Sequence, residues 1–309
     1  MPKVSVIIPT YNRAEYLKQA IASALGQTFE DFELLIVDDC SSDNTSRIIE
    51  NCTDTRIRYI RNNENKGISA VRNIGINNSR GEYIAFLDDD DEWFSDKLEK
   101  QVSMLEPSSP KLGAIYTGVV SVNMANNKVV KLRIPQYRGN ILKKMLLQNF
   151  IPTPSIVLKK ACFEKVGLFD ERVPYGEDHD MWIRVAEKFE FDYVEDLLVK
   201  HRVHENSISS NISAVIMGLE RLIAKHQRLF VNYKRAYSNN QFKLGAAYCY
   251  DGNIKLGRGA FIKAIKLNPL DLRLYYNLAI SMLGAEGYKK LKETKKNYFT
   301  IESQNQYNN

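Results

Sequence analysis

Apolar residues in the first ninety positions follow two spacings in turn. Short β-branched runs at 4–8, 34–37, 57–60 and 83–87 have the length of buried strands, and residues 14–25, 45–51 and 68–76 between them carry apolar positions at helical spacing. Gly26 stops the first of these helices, and Ser41 to Asp43 offer capping side chains before the second. Strands alternating with helices predict a parallel sheet with right-handed crossovers. After Asp96 the pattern loosens. Residues 113–122 and 128–132 flank Asn126-Asn127 and predict a hairpin. The stretch 134–153 reads as a loop holding a short helix at 141–147, followed by a strand at 155–158, a short helix at 160–166 and a stronger helix at 177–189. Two further strands are expected, near 192–194 and 198–203, and from about Ser213 the spacing is helical throughout.

Within that helical part, residues 238–271 fit a 34-residue helix–turn–helix tetratricopeptide unit. Leu244, Gly245, Tyr248, Phe261, Ala264 and Pro269 fall at its offsets, with Gly257 where the unit carries alanine. Gly245 is expected to let the two helices approach, with Phe261 and Ala264 packed between them. Residues 272–284 begin a second unit and stop. One and a half repeats are too few for an independent solenoid, so a helical pair docked on the α/β domain or on a partner is expected. The resulting organisation is an α/β domain over 1–212, a helical region over 213–296 and a polar tail, 297–309, for which disorder is expected.

Composition narrows the class. Hydrophobic residues make up 44% and charged residues 26% of the 309, which excludes wholesale disorder. No run of 18 apolar residues predicts a transmembrane helix, and the opening MPKVSVIIPTYN reads as a strand rather than a signal peptide. The four cysteines show no C-x-x-C spacing, so neither a zinc site nor a disulfide scaffold is expected, and a reducing cytoplasm fits them. Beyond residue 200 the chain holds 17 Lys/Arg against 7 Asp/Glu, a net +10; the first 200 residues carry −4. A basic C-terminal half suits peripheral contact with the inner face of a membrane, a protein partner or a phosphate-bearing acceptor, or it is simply a solvated helical face. No nucleic-acid partner is expected.

Candidate chemistry gathers at strand ends, where ligands collect in open α/β sheets. Pro9-Thr10-Tyr11-Asn12 ends the first strand, Asp38-Asp39 the second and Asp88-Asp89-Asp90-Asp91 the fourth. Parallel strands set all three along one edge. Four adjacent aspartates repel one another, and a bound Mg²⁺ or Mn²⁺ taking oxygen ligands relieves the repulsion. An EF-hand loop is excluded, since its ligand spacing and sixth-position glycine are missing. Tyr11 offers an aromatic face and Asp39 a carboxylate to a nucleobase. Neither G-x-x-x-x-G-K-[ST] nor G-x-G-x-x-G occurs, which argues against a P-loop or a dinucleotide site. A second acidic cluster starts the helix near Glu177. Asp178 precedes Met181, Trp182, Val185 and Phe189 by three, four, seven and eleven residues, so it extends their buried stripe and faces the cleft. Asp180 stands four before Arg184 and reads as an exposed ion pair, and Glu177 lies off the stripe.

The segments VSVIIPTYNR, LLIVDDCSSDNT, NKGISAVRNIG, GEYIAFLDDDDEW, GEDHDMWIRVAEK and HRVHENSIS resemble, in this order, the motifs of the family-2, GT-A fold glycosyltransferases over residues 2–210. The resemblance implies a Rossmann-like, mainly parallel α/β sheet with a small all-α C-terminal region. It implies metal-dependent, inverting transfer of a sugar from a nucleotide-diphosphate donor, with UDP foremost, to a carbohydrate or lipid-linked hydroxyl. It places Pro9, Thr10, Tyr11, Asn12, Asp39 and Arg72 at the nucleotide, Asp88 and Asp89 at the ribose and diphosphate, and Asp90 with His204 at Mn²⁺ or Mg²⁺. Asp178 is implied as the base, with Glu177 and Trp182 as acceptor contacts. Two rivals stand beside it. A nucleotidyltransferase brings a glycine-rich basic loop after its first strand, where Tyr11-Asn12-Arg13 stands here. A decayed interaction protein would not keep Asp39, Asp90 and Asp178 together.

Overall fold

The structure, a computed structural model, describes residues 1–203 and 211–291 and divides into two compact units at residues 207/208. The first unit runs β1 (Val4–Thr10), α1 (Ala14–Leu25), β2 (Phe32–Asp38), α2 (Thr45–Glu50), β3 (Ile57–Arg61), α3 (Ile68–Asn78), β4 (Tyr83–Phe86), β5 (Glu92–Trp93), α4 (Lys97–Leu105), β6 (Leu112–Asn123), β7 (Val129–Arg133), α5 (Leu142–Leu147), β8 (Ile156–Lys159), α6 (Lys160–Val166), α7 (Glu177–Ala186) and β9 (Glu190–Val203). Its nine strands form one sheet ordered β3-β2-β1-β4-β8-β6-β9-β5, with β7 on β6. Every residue of β1 and β2 is buried, the polar Ser5 and Glu33 included, as expected of central strands between two covering layers.

The sheet is mixed rather than mainly parallel. β3, β2, β1 and β4 run parallel, each joined to the next in sequence by a helical crossover. Beyond them β8 is antiparallel to both β4 and β6, and only β9 again runs parallel to β6. The hairpin forms between β6 and β7, with a register shift at Ser121/Val122. The two strands expected near 192–194 and 198–203 are one strand, β9. The acidic stretch between them is absorbed where the β6–β9 register shifts at Thr117/Gly118. A Cβ on Gly118 would lie 2.7 Å from Leu197 Cδ2 and 3.1 Å from the Asp196 carbonyl oxygen, so a larger residue there requires the Leu197 side chain to move. Helix α4 has no counterpart in the sequence reading. Its apolar stripe, Leu98, Val102 and Leu105, is buried, but Lys97 and Gln101 break it. Lys97 is wholly buried over the Trp93 ring at 4.0 Å and donates to Gln101, whose amide donates to the carbonyls of Ile115 and Ser155.

The second unit holds α8 (Ile212–Lys225), α9 (Gln227–Asn232), α10 (Lys234–Asp251), α11 (Ile254–Leu267) and α12 (Leu272–Ser281). α10 and α11 form the expected close pair. A Cβ on Gly245 would sit 2.7 Å from the Phe261 ring, and one on Gly257 would sit 2.3 Å from Cys249 Sγ. Phe261 and Ala264 are fully buried. The tail 297–309 lies outside the described residues. No described helix is long and apolar enough to cross a membrane.

Candidate active site

The parallel strands bring their C-terminal ends to one edge, and the four aspartates after β4 meet four different environments there. Asp88 accepts from Arg72 Nη2 at 2.9 Å. Asp89, buried, accepts from Thr10 Oγ1 at 2.8 Å and from Arg13 at 3.2 Å. Asp90 pairs with the same Arg13 guanidinium. Asp91, buried, lies 2.9 Å from His201 Nδ1 and accepts the Arg202 N–H. Arg13 and Arg72 thus neutralise part of the run's charge, and His201 hydrogen-bonds Asp91. Burial still pushes Asp89 up to about 7 against the pull of Arg13. Burial likewise pushes Asp91 up to about 6, while the hydrogen bond to Asp91 holds His201 above its usual value.

Arg72, expected at the nucleotide, links two elements of the site. It is buried and donates through Nη1 to Glu177 at 2.6 Å as well as to Asp88, so one guanidinium joins the end of β4 to the start of α7. Burial opposes its charge, but Asp88 and Glu177 outweigh that and hold it above its ordinary value. Its Nε has no hydrogen-bond partner among the described residues. Glu177 is therefore held by Arg72.

Beside it, Asp178 accepts from Asn149 Nδ2 at 2.7 Å and from the backbone N–H of His179 at 2.7 Å. Part of the Asp178 surface is open, yet the protein packed around it and the neighbouring Glu177 charge push its carboxyl up to about 7. Asp180 is not exposed, as its spacing from Arg184 suggested. It is wholly buried, bonded to Arg184 at 3.0 Å, and Arg184 also donates to the carbonyls of Val166, Gly167 and Leu168. Trp182, expected as an acceptor contact, is fully buried, packs edge-on against Phe169 and donates its indole N–H to the Ile151 carbonyl.

On the nucleotide side, Pro9 is fixed in the β1–β2 ladder and the Tyr11 ring is 46% exposed. Asn12 adopts a positive φ of 52° and accepts from the Ser42 N–H at 2.8 Å, which folds the β1 end onto the β2 end. Asp39 accepts from Asn62 Nδ2, from the Lys66 N–H and from the Gly67 N–H, so its buried carboxylate fixes the loop leading into α3. His204 lies outside the described residues.

The aspartate run supplies hard oxygen donors of the kind Mg²⁺ and Mn²⁺ take, and Arg13 places a cation against Asp89 and Asp90. Among the described residues no group of three or more His, Cys, Asp and Glu is arranged to hold a metal. The donors present suit an ion that shares its shell with a diphosphate. Sequence reasoning gave no role to Arg13, Asn149 or His201. Arg13 and His201 stand inside the quoted motifs, whereas nothing in the sequence marks Asn149.

The profile of glycosyl transferase family 2 matches residues 5–164. An uncharacterized glycosyltransferase of Rickettsia felis is 34% identical over 218 residues, 69% of this chain but only 36% of that protein. The Escherichia coli UDP-Glc:alpha-D-GlcNAc-diphosphoundecaprenol beta-1,3-glucosyltransferase WfgD is 33% identical over 212 residues, 67% of this chain and 80% of that one. A mannosyltransferase from Pyrobaculum calidifontis, solved in complex with GDP-Man and Mn²⁺, shares the fold with a TM-score of 0.61 at 18% identity, covering 100% of this chain and 88% of that one.

Proposed function

This chain belongs to glycosyl transferase family 2, and we propose that it moves a sugar from a nucleoside-diphosphate donor, UDP foremost, to an acceptor hydroxyl with inversion at the anomeric carbon. The setting is synthesis of a surface polysaccharide or glycoconjugate. The observation that carries the reading is the ion-pair chain Asp88–Arg72–Glu177, which ties the acidic end of β4 to the helix start that bears Asp178. The name of WfgD supports a UDP-sugar and a lipid-diphosphate acceptor. The mannosyltransferase complex with GDP-Man and Mn²⁺ supports a divalent ion.

The exposed Tyr11 ring, flanked by Pro9, Thr10 and Asn12, receives the base. Asp39 acts there by fixing the 62–67 loop as well as by its charge. Asp88 and Asp89 face the ribose and diphosphate. Asp90, with His204 from outside the described residues, would hold Mn²⁺ or Mg²⁺, which when bound stabilises the negative charge that grows on the departing diphosphate. Asp178 takes the proton of the attacking hydroxyl. Its raised proton affinity suits that work, because a base functions best with a pKa near the working pH. Glu177, fixed by Arg72, crowds Asp178 with like charge and sustains that affinity. One base and one displacement invert the configuration.

Release of nucleoside diphosphate, measured across UDP-, GDP- and dTDP-sugars with Mn²⁺, tests the reading. Consumption of a UDP-sugar is expected. A panel in which no donor is consumed overturns it.

A further inference from the structure

Residues 211–291 of the second unit hold 13 Lys/Arg against 4 Asp/Glu, a net +9. Neither α11 nor α12 contains a single Asp or Glu. Helix α12 is apolar on two flanks. The inner flank buries Leu274 and Ile280, the latter in a cluster with Phe261 and Tyr288. The outer flank is open. Leu272 (79% exposed), Tyr275 and Tyr276 recur at i, i+3 and i+4, and exposed apolar side chains continue beyond both ends of the helix, with Leu270 (89% exposed) in the turn before it and Met282 and Leu283 in the turn after it. The inner flank alone ties α12 to its unit, so folding does not account for an outer stripe of this size, and exposed apolar stripes mark interaction surfaces. In the same unit α11 exposes Lys255, Lys263 and Lys266, interleaved with Leu256 and Ile262.

We propose that this α12 flank, with the lysines of α11, docks on an anionic lipid bilayer. Charge decides the occupant. A second copy would bring the same +9 and repel, whereas an anionic leaflet attracts each Lys and Arg held near it. The side chains fit too: leucine and methionine insert among acyl chains, and tyrosine, apolar in body and polar at its tip, settles at the headgroup level. A helix flank is a ridge, which a soft planar surface accepts without a matching pocket. The proposal does not rest on sugar transfer, because docking needs neither donor nor base.

Co-sedimentation of the full chain with phosphatidylglycerol-containing vesicles, and with phosphatidylcholine vesicles, tests it. The wild type is expected to sediment with the first and not the second, and more weakly at high salt. Two variants follow: Leu270→Ser/Leu272→Ser/Leu283→Ser, which removes apolar reach, and Lys255→Glu/Lys266→Glu, which reverses charge. Each should lose at least about tenfold in vesicle affinity with an unchanged circular-dichroism melt. Failure of the wild type to bind anionic vesicles overturns the proposal, as does wild-type binding by either variant. Light scattering supplies a further check: a wild-type dimer that the leucine variant abolishes assigns the flank to a second copy instead.

Discussion

Two carboxylates on the first turn of α7 stand in opposite surroundings. Asp178 opens toward Asn149 and solvent, while Asp180 is sealed against Arg184. The stripe of Met181, Trp182 and Val185 was legible in the sequence and is buried. The depth of Asp180 was not, because it depends on the 166–168 carbonyls that Arg184 caps, and no spacing encodes those. The partners of the aspartate run were hidden for the same reason: Arg13 lies 76 residues from Asp89, and His201 lies 110 from Asp91. Two outcomes follow at this scale. Asp178 works as a base only when ionised, and its carboxyl is raised to about 7, so kcat/KM should climb as pH rises through about 7 and level off above. Asn149 donates to the ionised form, so Asn149→Ala should move that acid limb to higher pH. A pH–rate profile in which the limb stays put or moves lower contradicts this. Asp180→Ala leaves Arg184, its side chain 13% exposed, without its carboxylate, a loss of about 3–5 kcal/mol. A calorimetric melt of the first unit should therefore fall by the order of 10 °C; an unchanged melt would mean that the pair contributes nothing.

Helix α11 carries a glycine in its interior, where alanine is intrinsically better by about 1 kcal/mol. Gly257 is kept there by contact, since a Cβ would collide with Cys249 Sγ at 2.3 Å and the Gly245 carbonyl oxygen at 2.9 Å. Gly257→Ala should thus destabilise the second unit by about 1–2 kcal/mol net, the overpacking penalty exceeding the propensity gain. In the Cys249→Ala background the same change should cost less by at least about 1 kcal/mol, and a double-mutant cycle by denaturant melts reads that coupling. A stabilising Gly257→Ala in the wild-type background would contradict the contact. The helix pair itself was legible, because the repeat spacing encodes Gly245, Phe261 and Ala264 locally, whereas Gly257 stands where the repeat carries alanine. Elements whose pattern is broken by buried polar groups were not. Lys97 and Gln101 hid α4, and the acids inside β9 read as a gap.

At the scale of the molecule, the first four strands were legible because each crossover is local in sequence, and the order β8-β6-β9-β5 was not, because it pairs segments far apart along the chain. The unit boundary has its own consequence. α8 packs on α10, with the Tyr248 hydroxyl donating to Glu220, so a cut after α9 strips α8 of its cover. A chain ending at residue 210 should fold, bind nucleotide and release it from donor, and lose vesicle binding; precipitation of that chain would show that the first unit depends on the second. The most direct test of the account is the turnover of Asp178→Asn beside its nucleotide affinity. With donor and Mn²⁺ saturating, nucleoside-diphosphate release should fall by about 10²–10⁴-fold while the Kd for the nucleotide stays within about twofold of the wild type. Wild-type turnover in Asp178→Asn, or a loss of nucleotide binding as large as the loss of rate, would contradict Asp178 as the base.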